Sequence, residues 1–200
     1  LKNKAYITGS CIIRNNSITL NGQLLFSSPG VELQEFLRGA YDQFSGQYPK
    51  FHKMDPLSKL GWLAAEALLK DSNVYTLPKE AVGMLLSNRS ASLDTDLRYY
   101  ATVMEFASPA LFVYTLPNIV MGEISIRHGF KGENTFFVSS SFDAGLLSDY
   151  ATALFAETPL QACLVAWVEV MEKDYEVVMA LVEKEGNIPL SAENLMALYA

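Results

Sequence analysis

Three strand-length runs in this chain are rich in apolar residues without strict alternation: KAYITGSCII (Lys4 to Ile13), AVGMLLS (Ala81 to Ser87) and CLVAWVEV (Cys163 to Val170). A strand with one face in water alternates polar and apolar residues, so runs like these must be covered on both faces. The covering layers are legible between them. In MDPLSKLGWLAAEALLKD, Asp55 can cap a helix and Pro56 suits its first turn. Leu57, Leu60, Ala64 and Leu68 then recur at helical spacing on one buried face.

The remaining segments extend the pattern. Asn21-Gly22 between apolar flanks predicts a tight hairpin turn inside SITLNGQLLF. Ser27 to Lys50 is punctuated by Gly and Pro and is expected to be loop, with one short helix around Val31 to Leu37. NRSASLDTD reads as a polar exit from the second strand. Asn118 to His128 is a helix apolar on most sides, hence central and buried, and Asn134 to Val138 is a short strand. Asp143 to Phe155 predicts a helix with Asp143 at its positive end and a double stripe of Leu146, Leu147, Tyr150, Ala151, Leu154 and Phe155. After Glu172-Lys173-Asp174, YEVVMALVEK returns antiparallel, and Ser191 caps a last short helix. Strands alternating with helices give an α/β fold: one mostly parallel sheet with helices on both faces.

Two hundred residues suit a single domain. Half of them are apolar, and the mean hydropathy of +0.14 predicts a protein interface rather than a bare surface. No apolar run reaches the roughly 18 residues of a membrane span. The net charge of −7 argues against a nucleic-acid partner, whose phosphates are met by Lys and Arg. Cys11 and Cys163 lie in apolar runs and are expected to be buried free thiols. With only His52 and His128 and no Cys-x-x-Cys, neither a metal nor a cofactor is expected. The start shows no signal-peptide pattern, so a reducing cytoplasm is the default expectation.

Residues Phe106 to Gly145 carry a distinctive series: Ser108-Pro109, a stretch ending in Pro117-Asn118, Gly122, Ile126-Arg127-His128-Gly129, Lys131-Gly132, then a strand and a tight turn. This series resembles the middle of a β-ketoacyl synthase, and Met54-Asp55 and Val82-Gly83 match the same family in order. The resemblance implies a thiolase-like half: a five-stranded mixed, mostly parallel sheet with helices on both faces. It covers Lys4 to about Glu183, so residues 1–200 are expected to form one domain like the synthase N-terminal half, with the C-terminal half absent.

The likeness also shows where the chemistry departs. The turn that would read Thr-Ala-Cys in an active synthase reads Ser140-Ser141-Phe142, so the nucleophile falls on Phe142. The family's catalytic histidines belong to the second half, and His128 matches an aromatic or apolar position. Decarboxylative condensation needs a thiolate and donors aimed at the developing enolate. No catalytic residue is therefore expected. Ser140 and Ser141 are weak candidates for a serine acyl-enzyme, lacking the flanking glycine and a base. Asp94-Thr95-Asp96-Leu97-Arg98 is read as a solvated loop, with Leu93 and Leu97 near the end of an acyl tunnel as the resemblance places them.

Synthases dimerise through an edge strand of the first half. The resemblance puts that edge at Asn134 to Val138, with Leu116, Pro117, Asn118, Phe136 and Phe137 at the tunnel or interface. The helix from Asp143 is expected to need cover from a partner. The implied role is a non-catalytic, chain-length-factor-like partner of a complete ketosynthase in type II fatty-acid or polyketide synthesis, of the aryl-polyene or flexirubin kind. An acyl carrier protein is a further implied partner. The alternatives are an acyl-thioester-binding or -cleaving enzyme using an elbow serine, and a homodimeric structural or regulatory protein.

Overall fold

The computed structural model describes residues 5–44 and 47–200; Lys4, expected in the first strand, lies outside them. Strand β1 (Tyr6–Arg14) is followed by the hairpin β2 (Ser17–Leu20) and β3 (Gln23–Ser27), then helix α1 (Leu33–Phe44). Helix α2 (Pro56–Leu69) leads to β4 (Val82–Asn88), α3 (Leu93–Val103), the short α4 (Pro109–Phe112) and α5 (Ile119–His128). Strand β5 (Asn134–Val138), α6 (Ala144–Glu157), β6 (Ala162–Met171), β7 (Asp174–Glu183), β8 (Ile188–Pro189) and α7 (Ala192–Tyr199) complete the chain.

All eight strands form one sheet in the order β3-β2-β1-β7-β6-β4-β5, with β8 beside the start of β1. The central five, β1-β7-β6-β4-β5, form the expected mixed core, in which only β7 runs against the others. Two expectations need correcting. The sheet has eight strands rather than five, and only the β4–β5 and β4–β6 ladders are parallel. The cause is local: two tight turns fold β1, β2 and β3 back on one another, and a third joins β6 to β7. Asn15, Asn16, Asn21, Gly22 and Glu172 all have positive φ at these reversals, as tight antiparallel turns require.

The apolar runs are two-sided as their sequences demand. Along β6, Leu164, Ala166 and Val168 enter the core beneath α1, α2 and α5, while Cys163, Val165 and Trp167 enter a second core beneath α6 and α7. The capping expectations hold: Asp55 accepts from Ser58 N, Asp143 from Leu146 N and Ser191 from Asn194 N. Gly132 fills a structural need in the Lys131-Gly132 pair, because a Cβ there would lie 2.5 Å from the Val82 carbonyl oxygen as β5 joins β4.

Several local readings change. The region from Ser27 to Lys50 contains a full amphipathic helix, α1, which buries Phe36, Leu37, Ala40 and Tyr41. Gly39 lies inside this helix, where its missing side chain admits the Phe26 ring, 3.1 Å from where its Cβ would sit. Arg89 to Ser92 form the polar turn that leaves β4, but Asp94 to Arg98, expected as a solvated loop, lie in α3, with Asp94 and Asp96 at its positive end. Helix α5 is buried along Val120, Met121 and Ile124, but Ile126 is exposed. No helix among the described residues is long and apolar enough to cross a membrane.

Candidate functional site

The turn after β5 is where the family's chemistry would sit. Ser139 N donates to Asn88 O and ties the end of β5 to the end of β4 (2.9 Å). Ser140 and Ser141 are exposed, and Phe142 turns inward to 7% exposure. Its ring stacks on Tyr199 of α7 (centroids 4.7 Å, 17°) and meets Trp167 of β6 edge-on (6.2 Å, 74°). Phe142 is thus a core contact. Tyr199 is itself anchored: its hydroxyl and Trp167 Nε1 both donate to Glu176 Oε1 at 2.9 Å, and Arg14 Nε lies 3.2 Å from Glu176 Oε2.

The shallow cleft of about 370 Å³ beside the serines is lined by residues 139–145 together with Ala192 and Met196. The lining holds no histidine, and its one carboxylate, Asp143, caps α6 through Oδ1. His128 lies on the opposite side of the sheet, stacked on Phe130 (5.3 Å, 21°), as befits an aromatic position. Cys11 and Cys163 are buried free thiols, each pushed up to about 12 by burial, and are inert as nucleophiles.

Helix α7 corrects another expectation. The inner part of the α6 stripe, Leu147, Ala151 and Phe155, is covered by the chain itself, with Leu195 buried against it and Leu190, Leu198 and Tyr199 alongside, while Leu146 stays 36% exposed. Sequence reasoning saw the cap at Ser191 but not the destination of the helix, which is set by Phe142 and Trp167, distant in sequence.

The uncovered apolar surface lies elsewhere. Helices α3 and α4 form an arm whose middle carries Tyr100, Met104, Phe106, Phe112 and Val113, with Met104 at 87% and Phe106 at 79% exposure. Leu93, Leu97 and Leu116 are also exposed on this arm, which leads through Pro117 and Asn118 into α5.

Both roots of the arm are held by acidic side chains. At the first root, Thr95 Oγ1 donates to the buried Asp55 carboxylate (2.9 Å), and Asp94 Oδ1 accepts from Glu172 N (2.9 Å). Glu169 Oε2 takes Arg89 N and Ser90 N (2.7 and 3.1 Å). At the second, Tyr114 donates to Glu123 (3.0 Å), and Lys50 Nζ lies 2.7 Å from the same carboxylate. Desolvation raises the Asp55 pKa, opposed by its hydrogen bonds to Ser58 and Thr95 and by Arg98. Apart from Tyr114 and Glu123, nine residues apart, the partners of these anchors are tens of residues apart, which hides them in the sequence.

Strand β5 ends the sheet and pairs only with β4. Glu133 O accepts from Met84 N, and Ser139 N donates to Asn88 O, so the odd-numbered backbone groups face β4. By strand alternation, the N–H and C=O groups of Asn134, Phe136 and Val138 face outward from the open edge. Phe136 and Phe137 are half-buried on opposite faces, Phe136 under the α1-α2-α5 layer and Phe137 edge-on to Tyr150 (5.1 Å, 88°).

The family whose sequence model matches, described as "Beta-ketoacyl synthase, N-terminal domain", covers residues 31–149. The chain belongs to the β-ketoacyl synthase family. No curated protein sequence matches it. Among solved structures, it is similar to "the ishigamide ketosynthase/chain length factor", with a TM-score of 0.69, 19% identity, and cover of 94% of this chain and 64% of that one. It is also similar to a chain of "Ketosynthase (ApeO) in Complex with its Chain Length Factor (ApeC)" from Xenorhabdus doucetiae: TM-score 0.60, 15% identity, covering 98% and 90%. A β-ketoacyl synthase from Burkholderia phymatum STM815 gives a TM-score of 0.60 at 14% identity, covering 98% and 61%. These likenesses show the thiolase-like fold. The chain spans 64% of the first of these structures and nearly the whole of the Xenorhabdus one.

Proposed function

We propose that this protein is a non-catalytic, chain-length-factor-like partner of a complete ketosynthase in type II fatty-acid or polyketide synthesis. The observation that carries the reading is Phe142, a packed ring at the nucleophile position, sealed by Tyr199. No thioester can form there, and no base serves the neighbouring serines.

The arm and the β5 edge supply what a partner subunit needs. An open edge offers unpaired backbone groups to another strand, and the apolar arm offers area to bury. In this reading the chain acts as one unit corresponding to the first half of a synthase. Leu93 and Leu97 border the end of the partner's acyl tunnel, and Leu116, Pro117, Asn118, Phe136 and Phe137 lie at or near the shared interface. The work takes place in the cytoplasm, on chains delivered by an acyl carrier protein. A ketosynthase as partner is supported by the similar structures in which a ketosynthase and a chain length factor occur together; the aryl-polyene or flexirubin-like setting is part of the proposed reading.

Co-expression with the complete ketosynthase encoded nearest to it tests the proposal. The two should co-purify in equal amounts, and product length should change when the protein is left out. A synthase that purifies alone and gives the same products without this protein would overturn the reading.

A further inference from the structure

On the opposite side of the sheet from Phe142, a cleft of about 620 Å³ opens between the β2–β3 hairpin, the end of α1, the second half of α2 and the end of α5. Its size falls within the range of small-molecule sites, which pair an apolar wall with a few convergent polar groups. The wall here is Leu20, Leu25, Phe44 and Ala67.

The polar side is highly ordered. Arg127 grips Glu66 with two bonds, Nε to Oε1 at 2.6 Å and Nη2 to Oε2 at 3.0 Å. Tyr75 and His128 Nδ1 share a hydrogen bond of 2.8 Å, and His128 Nε2 lies 3.4 Å from Glu66 Oε1. The arrangement of Glu66, His128 and Tyr75 has the outline of a proton relay. Its electrostatics oppose that use. Burial lowers the His128 pKa to about 4, and burial with the nearby Glu66 raises that of Tyr75. An imidazole so reluctant to accept a proton cannot draw one from a phenol made less acidic. The network shapes a pocket rather than driving a reaction.

Charge decides what such a pocket holds. Two cations, Arg127 and Lys70, and two anions, Glu66 and Asp71, line it, and His128 is neutral. An anionic ligand would face both carboxylates, and a cationic one would face the guanidinium and the ammonium. We propose that this cleft is a binding site for an uncharged amphipathic molecule, its apolar or aromatic body on the Leu20–Leu25–Phe44 wall and a hydroxyl or amide toward Tyr75 and Arg127. The site is independent of the partner-subunit role and of the Phe142 turn.

Three probes sharing one ring system test this: 1-naphthol, 1-naphthoate and 1-naphthylmethylamine, titrated at pH 7 while backbone amide shifts are followed. The expected result is saturable shifts at Leu20, Leu25 and Ala67 with 1-naphthol, at least tenfold tighter than with either charged probe. Leu25 and Lys70 are exposed, so Leu25→Glu and Lys70→Glu leave the core intact. Leu25→Glu should weaken 1-naphthol at least tenfold. Lys70→Glu should make 1-naphthylmethylamine the preferred probe. A charged probe binding as tightly as 1-naphthol to the wild type would overturn the proposal. So would shifts confined to the arm, or no saturation at millimolar concentration.

Discussion

In the proposed reading, replacing Phe142 by cysteine puts a thiol where a synthase carries its nucleophile, and the structure predicts that this will not create condensing activity. The ring is buried between Tyr199 and Trp167. Truncating a buried Phe to Ala costs about 3–5 kcal/mol, and a sulfur refills part of the space, leaving a loss of about 3 kcal/mol for Phe142→Cys. For a chain of this length that is roughly 6–12 °C in Tm.

The introduced thiol would also be unreactive. It would sit in the same apolar cluster as Cys163, whose thiol burial pushes up to about 12. The N-terminus of α6 favours a thiolate, but the Asp143 carboxylate already caps it and repels a second negative charge. Thermal unfolding, iodoacetamide labelling at pH 7 and turnover with acyl-carrier substrates check the three consequences. The expected outcome is a lower Tm, slow labelling of the native protein and no condensation. Rapid native-state labelling together with turnover would refute the reasoning.

Other expectations follow from the edge, the arm and the two buried titrating groups. Val138→Pro removes an outward-facing N–H while its exposed side chain contributes little to the core; it should abolish partner binding in a pull-down and leave the circular dichroism spectrum unchanged. Phe106→Glu on the arm should change unfolding stability by no more than about 0.5 kcal/mol yet prevent complex formation by size-exclusion chromatography. His128 has a depressed folded pKa, so its contribution is present above the unfolded value near 6.5 and is lost on acidification. Between pH 7 and 5 this removes about 2 kcal/mol in wild type, a dependence His128→Phe should flatten in urea titrations. Asp55 acts in the opposite sense. Its raised pKa makes stability fall as pH rises from the ordinary carboxylate range through the folded value, and Asp55→Asn should remove that component.

What the sequence revealed depended on how local the cause was. The two-sided strands, the α2 stripe and the caps at Asp55, Asp143 and Ser191 are signals carried within a few residues, and each was recovered. Helix α1 is longer than a stretch punctuated by Gly and Pro suggests, with the Phe26 ring packed beside Gly39 inside it. The start of helix α3 is ambiguous in sequence because Asp94 and Asp96 suit both a solvated turn and the first turn of a helix. Strand β8 is too short for a pattern of its own and exists only through Tyr6 and Ile7. At the Phe142 turn, the sequence shows a phenylalanine where the resemblance expects a cysteine, but the seal by Tyr199 depends on a residue 57 positions away and could only come from the fold.

The central claim is that this chain carries no acyl group of its own but joins a synthase that does. Intact-mass analysis of the co-purified complex after incubation with acyl-carrier substrate tests it most directly. The expected spectrum shows one acyl adduct on the synthase and this protein at its unmodified mass. A stoichiometric adduct on this chain, mapped to Ser140 or Ser141, would contradict it.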